Sequence, residues 1–165
     1  MSDAFETPEF ENPGPEAIRG LLERVRRIAV VGLSPKPHRD SNRVARYLLD
    51  RGYTVIPIYP REEKILGEVV YRRVQDVPGG VDLVDVFRRR EELPRVFDDA
   101  LAARAPAIWL QFDCIDEEGA RRATKEGMTV VMDRCLAVDH AQLLGRNWRP
   151  ASTLPTQLDP ETTKT

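Results

Sequence analysis

The sequence is poor in several features that would mark particular classes of protein. It has two cysteines, Cys114 and Cys135, in no motif spacing. That excludes a disulfide-stapled scaffold and fits a reducing compartment. It has two histidines, His38 and His140, which belong to no metal-ligand spacing. No apolar run approaches the roughly 18 residues of a membrane-spanning helix. The first eleven residues are acidic and lack a basic start followed by an apolar core, so no secretory leader is expected and the reading is cytoplasmic. There is no basic excess either: Lys+Arg is 25 against 27 Asp+Glu, a net charge of -2, which argues against a nucleic-acid binder. No segment repeats, and neither the G-x-G-x-x-G dinucleotide fingerprint nor the G-x-x-x-x-G-K-[ST] phosphate loop occurs.

What remains suits one globular domain. At 165 residues, 41% of them apolar, the chain is long enough to bury roughly two thirds of its unfolded surface in a single core. Residues 1–15 are polar with three prolines and read as an arm; residues 16–145 read as the domain; residues 146–165 read as a polar tail with Trp148 as its large anchor. Ile18, Leu21, Leu22 and Val25 recur at three- and four-residue steps and predict a helix over 16–27, with Pro15 suited to its first turn. The run Ile28-Ala29-Val30-Val31-Gly32 is short, β-branched and continuously apolar, as a strand buried on both faces should be. A helix is expected over 40–51, with Asp40-Ser41 as its N-cap and Gly52 just past its end. Further strands are expected at 54–58, 65–70, 83–87, 107–111 and 129–132. A helical turn is expected at 74–77, and helices at 91–104, 116–126 and 136–144. This alternation predicts an α/β domain, a doubly wound parallel sheet with helices on both faces. The expected strand order is the Rossmann-type 3-2-1-4-5, with ligands beyond the strand C-termini at the switch point.

The turn after the first strand holds most of the chemistry. It reads Gly32-Leu33-Ser34-Pro35-Lys36-Pro37-His38-Arg39-Asp40-Ser41-Asn42. One reading is a long surface loop with a capping serine. The other is a phosphate cradle, because hydroxyls and cations precede a helix N-terminus, whose free N–H groups and positive dipole end suit an anion. At the end of the second strand, Ile58-Tyr59-Pro60-Arg61 has a cation where an NAD site wants an acid. Arg61 suits a phosphorylated ribose, as in NADP or coenzyme A, or is an ordinary solvated turn residue. Phe87-Arg88-Arg89-Arg90 follows the fourth strand, where one guanidinium is in place to pair with a pyrophosphate. Gln111 ends the fifth strand as a hydrogen-bonding candidate, while Trp109 reads as core. Cys135 follows Arg134 at a helix start, with no histidine beside it in sequence to act as a base.

Taken together, several stretches resemble the stand-alone CoA-binding domain proteins, which are similar to the nucleotide-binding domain of succinyl-CoA synthetase α subunits. They are Ile28 to Ser34, Pro37-x-Arg39-x-Ser41, Gly52-Tyr53-x-Val55-x-Pro57, Val81 to Arg88, Trp109-Leu110-Gln111 and Val131 to Cys135. The resemblance implies a Rossmann-like fold that binds coenzyme A or an acyl-CoA. By analogy Ser34 to Pro37 would hold the phosphates; Gly32, Leu33, Arg39, Ser41 and Asn42 of the same turn stand beside them as cofactor-binding candidates. Tyr59, Pro60 and Arg61 would meet the adenosine end. Val86, Phe87, Arg88 and Gln111 would flank the pantetheine. The family often has Asn-Pro where this chain has Tyr59-Pro60. The synthetases also use a phosphorylated histidine from a second domain, which the resemblance does not carry over, so no catalysis is expected. The rival expectations are an NADP-dependent oxidoreductase, permitted by Arg61, and an interaction module with a degenerate nucleotide site. A partner protein or a second copy of the chain stays open.

Overall fold

The computed structural model describes residues 9–150; the outer parts of the expected arm and tail, 1–8 and 151–165, lie outside the described residues. In chain order the elements are α1 (Pro15–Arg24), β1 (Arg27–Val31), α2 (Asp40–Asp50), β2 (Thr54–Ile58), β3 (Lys64–Ile65), β4 (Glu68–Val69), β5 (Leu83–Val86), α3 (Leu93–Ala102), β6 (Ala107–Leu110), α4 (Glu117–Lys125), β7 (Thr129–Val131) and α5 (Leu136–Leu143). Short 3-10 turns at Val74–Asp76 and Arg90–Glu92 complete the list. The second of these takes the start of the expected 91–104 helix, so that Pro94 falls in the first turn of α3, where its missing N–H costs nothing.

Five strands form one sheet in the order β2-β1-β5-β6-β7, every pair parallel. Their apolar side chains alternate between two cores. Ala29, Val31, Val84, Val86, Ile108 and Leu110 enter one, under α3 and α4. Ile28, Val30, Leu83, Ala107 and Trp109 enter the other, under α1, α2 and α5. Burial on both faces explains why these strands read as unbroken apolar runs rather than alternating ones. The chain leaves β1 through α2 on one face to reach β2, then crosses to β5 on the other side of β1 and continues through α3 on the opposite face. The switch point therefore lies between β1 and β5.

The expected strand at 65–70 does not join the sheet, so the order 3-2-1-4-5 is corrected. Leu66 and Gly67 both have positive φ, 54° and 78°. That is the signature of a two-residue hairpin turn, and it folds the run onto itself as the antiparallel pair β3–β4. What is left of a third strand is one parallel bridge between Ile58 and Tyr71 at the open edge of β2.

Both ends of the described chain pack back onto the domain. The side-chain amide of Asn12 donates to Met132 O at 2.9 Å and accepts from Met132 N at 2.7 Å, occupying that part of the β7 edge. After α5, the Trp148 ring lies 6.0 Å from that of Tyr53 and 5.6 Å from that of His140.

Candidate functional site

Gly32 fixes the geometry at the switch point. Its φ is +85°, and a Cβ there would stand 2.1 Å from Phe87 O, inside any allowed contact. Gly32 N donates to Ile58 O at 2.9 Å, and Phe87 N donates to Val31 O at 2.8 Å. The exits of β2, β1 and β5 are thus laced together side by side at one residue without a side chain. Arg88 lies across this point, with its Nε 3.4 Å from the position a Gly32 Cβ would take.

From Gly32 the chain enters the 32–42 turn, which is held from within. Leu33 is fully buried beneath α2, so it offers a ligand only its backbone. The peptide groups of Ser34 are gripped on both sides: its N–H donates to Ser41 Oγ at 3.0 Å and its carbonyl accepts from Asn42 Nδ2 at 2.9 Å. Ser34 Oγ accepts from Lys36 N at 3.1 Å, and Arg46 Nη2 donates to Pro37 O at 2.9 Å. This corrects the role given to Ser41. The helix begins at Asp40 with Arg39 at the N-cap position and no side-chain cap, because the Ser41 hydroxyl is committed to Ser34. Ser41 and Asn42 are buried and shape the loop, while Pro35, Lys36, Pro37 and Arg39 are exposed on its rim. The first-turn N–H groups of α2 carry no side-chain cap, and the start of a helix is a place that suits an anion.

The other predicted residues divide between the rim and the core. Tyr59, Pro60 and Arg61 form the turn leaving β2, with Pro60 and Arg61 exposed. The Val86 side chain is buried in the core, and Phe87 and Arg88 follow at the mouth. The side chains of Lys36, Arg39, Arg61 and Arg88 make no hydrogen bond or ion pair among the described residues, whereas Arg43, Arg73, Arg122 and Arg134 are all paired with carboxylates. Unpaired cations therefore collect at the exits of β1, β2 and β5.

Gln111 turns away from this rim. Its Nε2 donates to Asp85 Oδ1 at 2.5 Å, and its Oε1 accepts from Leu136 N at 3.4 Å, so it ties β5 to the start of α5. Asp85 is wholly buried, and its Oδ2 has no partner among the described residues. Burial pushes its carboxyl up to about 7, against the pull of the Gln111 and Val86 hydrogen bonds. Cys114 is buried and donates to Arg88 O at 3.3 Å; burial raises its thiol above the usual range. Cys135 is half-buried just before α5. His140 is no base for it: the ring is buried, with Nδ1 paired to Tyr47 Oη at 2.8 Å, and burial lowers its pKa to about 4.

Three residues at the site, Asp85, Arg72 and Arg95, are not singled out by the sequence alone. Asp85 does carry a signal, an acid inside the otherwise apolar run Leu83-Val84-Asp85-Val86. Arg72 and Arg95 line a cavity of about 380 Å³ beside the ends of β1 and β2, together with Pro60 and Arg88. Nothing in their local sequence points there, because irregular chain and α3 bring them in. Among the described residues no cluster of three or more His, Cys, Asp and Glu is arranged to hold a metal ion, and no helix is long and apolar enough to cross a membrane.

Comparison with known proteins identifies relatives in sequence and in fold. A family model described as a CoA binding domain matches residues 26–141. The uncharacterized protein YneT of Bacillus subtilis is 40% identical over 132 residues, covering 80% of this chain and 98% of that one. A solved structure of a hypothetical protein from Pyrococcus horikoshii superposes with a TM-score of 0.79 at 36% identity, over 88% of this chain and all of that one (100%). The alpha subunit of an ADP-forming acetate–CoA ligase II of Pyrococcus furiosus is 28% identical over 131 residues, 72% of this chain but only 29% of the subunit. The family resemblance read from the motifs and the Rossmann-like α/β fold are both borne out.

Proposed function

The chain belongs to the CoA binding domain family, and on that premise we propose that it binds coenzyme A or an acyl-CoA across the C-terminal edge of its sheet, without catalysis of its own. The observation that carries the reading is the close approach at Gly32, where a Cβ would meet Phe87 O at 2.1 Å. That approach draws the β1–α2 loop, the β2 turn and the β5 exit into one rim edged by Lys36, Arg39, Arg61 and Arg88. A ligand with a diphosphate and a long neutral arm matches such a rim: the charge meets the cations and the uncapped start of α2, and the arm runs on past Phe87. Ser34 keeps its hydroxyl proton available as a donor, since Oγ is engaged as an acceptor from Lys36 N. The absence of turnover is part of the proposal. Its support is that neither thiol has a base, with Cys114 buried and His140 held by Tyr47.

Thermal unfolding tests the reading. Coenzyme A at a hundredfold excess over its Kd should stabilise the fold by about 2.7 kcal/mol, and NADP should do markedly less. Equal shifts from the two would favour a generic nucleotide site, and no shift from coenzyme A would reject the reading. Thioester hydrolysis above the buffer rate, abolished in Cys135→Ser, would reject the non-catalytic part.

A further inference from the structure

Between α2 and α5 lies a groove of about 410 Å³ that is separate from the rim. Tyr47 and Arg51 line it from α2 and its C-cap, Ala137, Val138 and Ala141 from α5, and Arg146 from just beyond that helix. None of these residues belongs to the rim. α2 runs back from the exit of β1 to the entry of β2, so Arg51 stands at the end of the sheet opposite the strand C-termini. The α5 wall is apolar and shallow: Ala137 and Ala141 are one turn apart on one face of the helix, beside Val138. Val138 is 46% exposed, one of three large apolar side chains left open among the described residues.

The opposite wall is cationic, and its parts are held in place. The guanidinium carbon of Arg51 lies 5.1 Å from the centre of the Tyr47 ring, a cation–π contact. Tyr47 is fixed in turn by its hydroxyl, 2.8 Å from His140 Nδ1. Arg51 Nε is shut off from solvent with no hydrogen-bond partner, so the two Nη nitrogens are the donors this side chain has left to offer. Neither Arg51 nor Arg146 makes a side-chain hydrogen bond or ion pair among the described residues. The lining includes no carboxylate, and the charged groups that act on the Tyr47 hydroxyl are Arg51, Arg146 and Arg149, all of them cations. A neutral apolar ligand would cover these arginines without giving them a partner, which costs free energy. A small hydrated anion would leave the alanines and Val138 in water. An anion carried on a hydrocarbon body meets both walls.

We propose that the α2–α5 groove is a second binding site, for an apolar carboxylic acid in its ionised form, with the carboxylate between Arg51 and Arg146 and the hydrocarbon along Ala137, Val138 and Ala141. Guanidinium groups meet a carboxylate through paired N–H donors, and such charge-assisted bonds are about twice as strong as neutral ones. Burial of each methylene against the α5 wall adds to the affinity in proportion to the area covered. The inference stands apart from the coenzyme A reading, because the two sites share no residue.

Amide NMR titration of the full chain with hexanoate, hexanol and acetate tests it. Hexanoate should shift the signals of residues 47–51 and 137–141 and should bind at least about tenfold more tightly than either acetate, which lacks the hydrocarbon, or hexanol, which lacks the charge. Arg146→Gln changes an exposed side chain with no bond to lose, so its melting temperature should match the wild type while hexanoate binds at least about fivefold more weakly. Val138→Asp, which sets a carboxylate on the apolar wall, should abolish hexanoate binding, and Val138→Ile should keep it. Saturating coenzyme A should leave the hexanoate titration unchanged. Hexanol binding as tightly as hexanoate would reduce the groove to an apolar crevice, and acetate doing so would reduce it to solvated cations; either result overturns the proposal. Hexanoate shifts confined to residues outside the groove, competition with coenzyme A, or no shift with any of the three probes would overturn it as well.

Discussion

Gly32, Asp85 and His140 each bear a constraint that a single substitution exposes. Gly32→Ala puts a Cβ 2.1 Å from a backbone oxygen and holds a non-glycine residue at φ of +85°, a strain of about 1–3 kcal/mol before any displacement of the β5 exit. It should lower the urea midpoint and remove coenzyme A binding together; a variant of unchanged stability would mean that the exits of β1 and β5 are not locked. Asp85 and His140 act on stability in opposite directions with pH. The Asp85 carboxyl is raised from 3.8 to about 7, so the native state keeps a proton that the unfolded chain releases. Its contribution is complete below about pH 4 and is lost as pH rises toward 7. His140 is lowered from 6.5 to about 4, so the unfolded chain takes a proton that the native state refuses. Its contribution is complete above pH 6.5 and is lost as pH falls toward 4. Each amounts to at most about 1.4 kcal/mol per pH unit, and the two offset each other. Urea denaturation from pH 4.5 to 6.5 should therefore show Asp85→Asn gaining stability relative to wild type as pH rises, and His140→Gln losing it. Parallel curves for all three proteins would contradict both assignments.

The helices and strands carry the two faces of the sheet, and their contacts set how close the layers approach. Gly119 in α4 sits where a Cβ would fall 2.4 Å from a ring carbon of Phe97, on α3. Helix propensity alone favours Gly→Ala by about 1 kcal/mol, yet Gly119→Ala should destabilise, because the added Cβ would also fall 2.6 Å from Asp116 Oδ2 and Phe97 is fully buried. Circular dichroism melts should show a lower midpoint, and a higher one would mean that the α3–α4 contact is looser than the structure has it. Strands of the sheet are legible from sequence where burial on both faces writes a mostly apolar, β-branched run, as in Ile28 to Val31 and, around the single acid Asp85, Leu83 to Val86. The stretch Ile65 to Val70 is also mostly apolar, but Gly67 and Glu68 interrupt it and the Leu66-Gly67 turn folds it into a hairpin. A serine at a helix start usually caps that helix, which is why the sequence points Ser41 to that role. Here the competing donor, Ser34 N, comes from the loop seven positions earlier. Arg72 was invisible for a related reason: its carbonyl partners lie ten to thirteen residues away, across a hairpin.

At the scale of the whole molecule, a nearly balanced net charge of -2 hides an uneven distribution. Ion pairs such as Arg122–Asp98 and Arg43–Asp40 neutralise the flanks, while Lys36, Arg39, Arg61 and Arg88 stay unpaired around the exits of β1, β2 and β5. The fold class was readable because βα alternation admits few arrangements. The rim was readable in outline because parallel strands bring their C-terminal ends together wherever they fall in sequence. Which rim residues reach outward, and which, like Gln111 and Leu33, turn into the core, depended on packing that no local pattern records. Coenzyme A is proposed to lie along that edge. Amide hydrogen exchange with and without coenzyme A tests it most directly. Protection should rise over residues 32–39, 59–62 and 86–88, with little change along β7 and α4. Protection confined to β7 and α4, or no change anywhere at saturating coenzyme A, would contradict it.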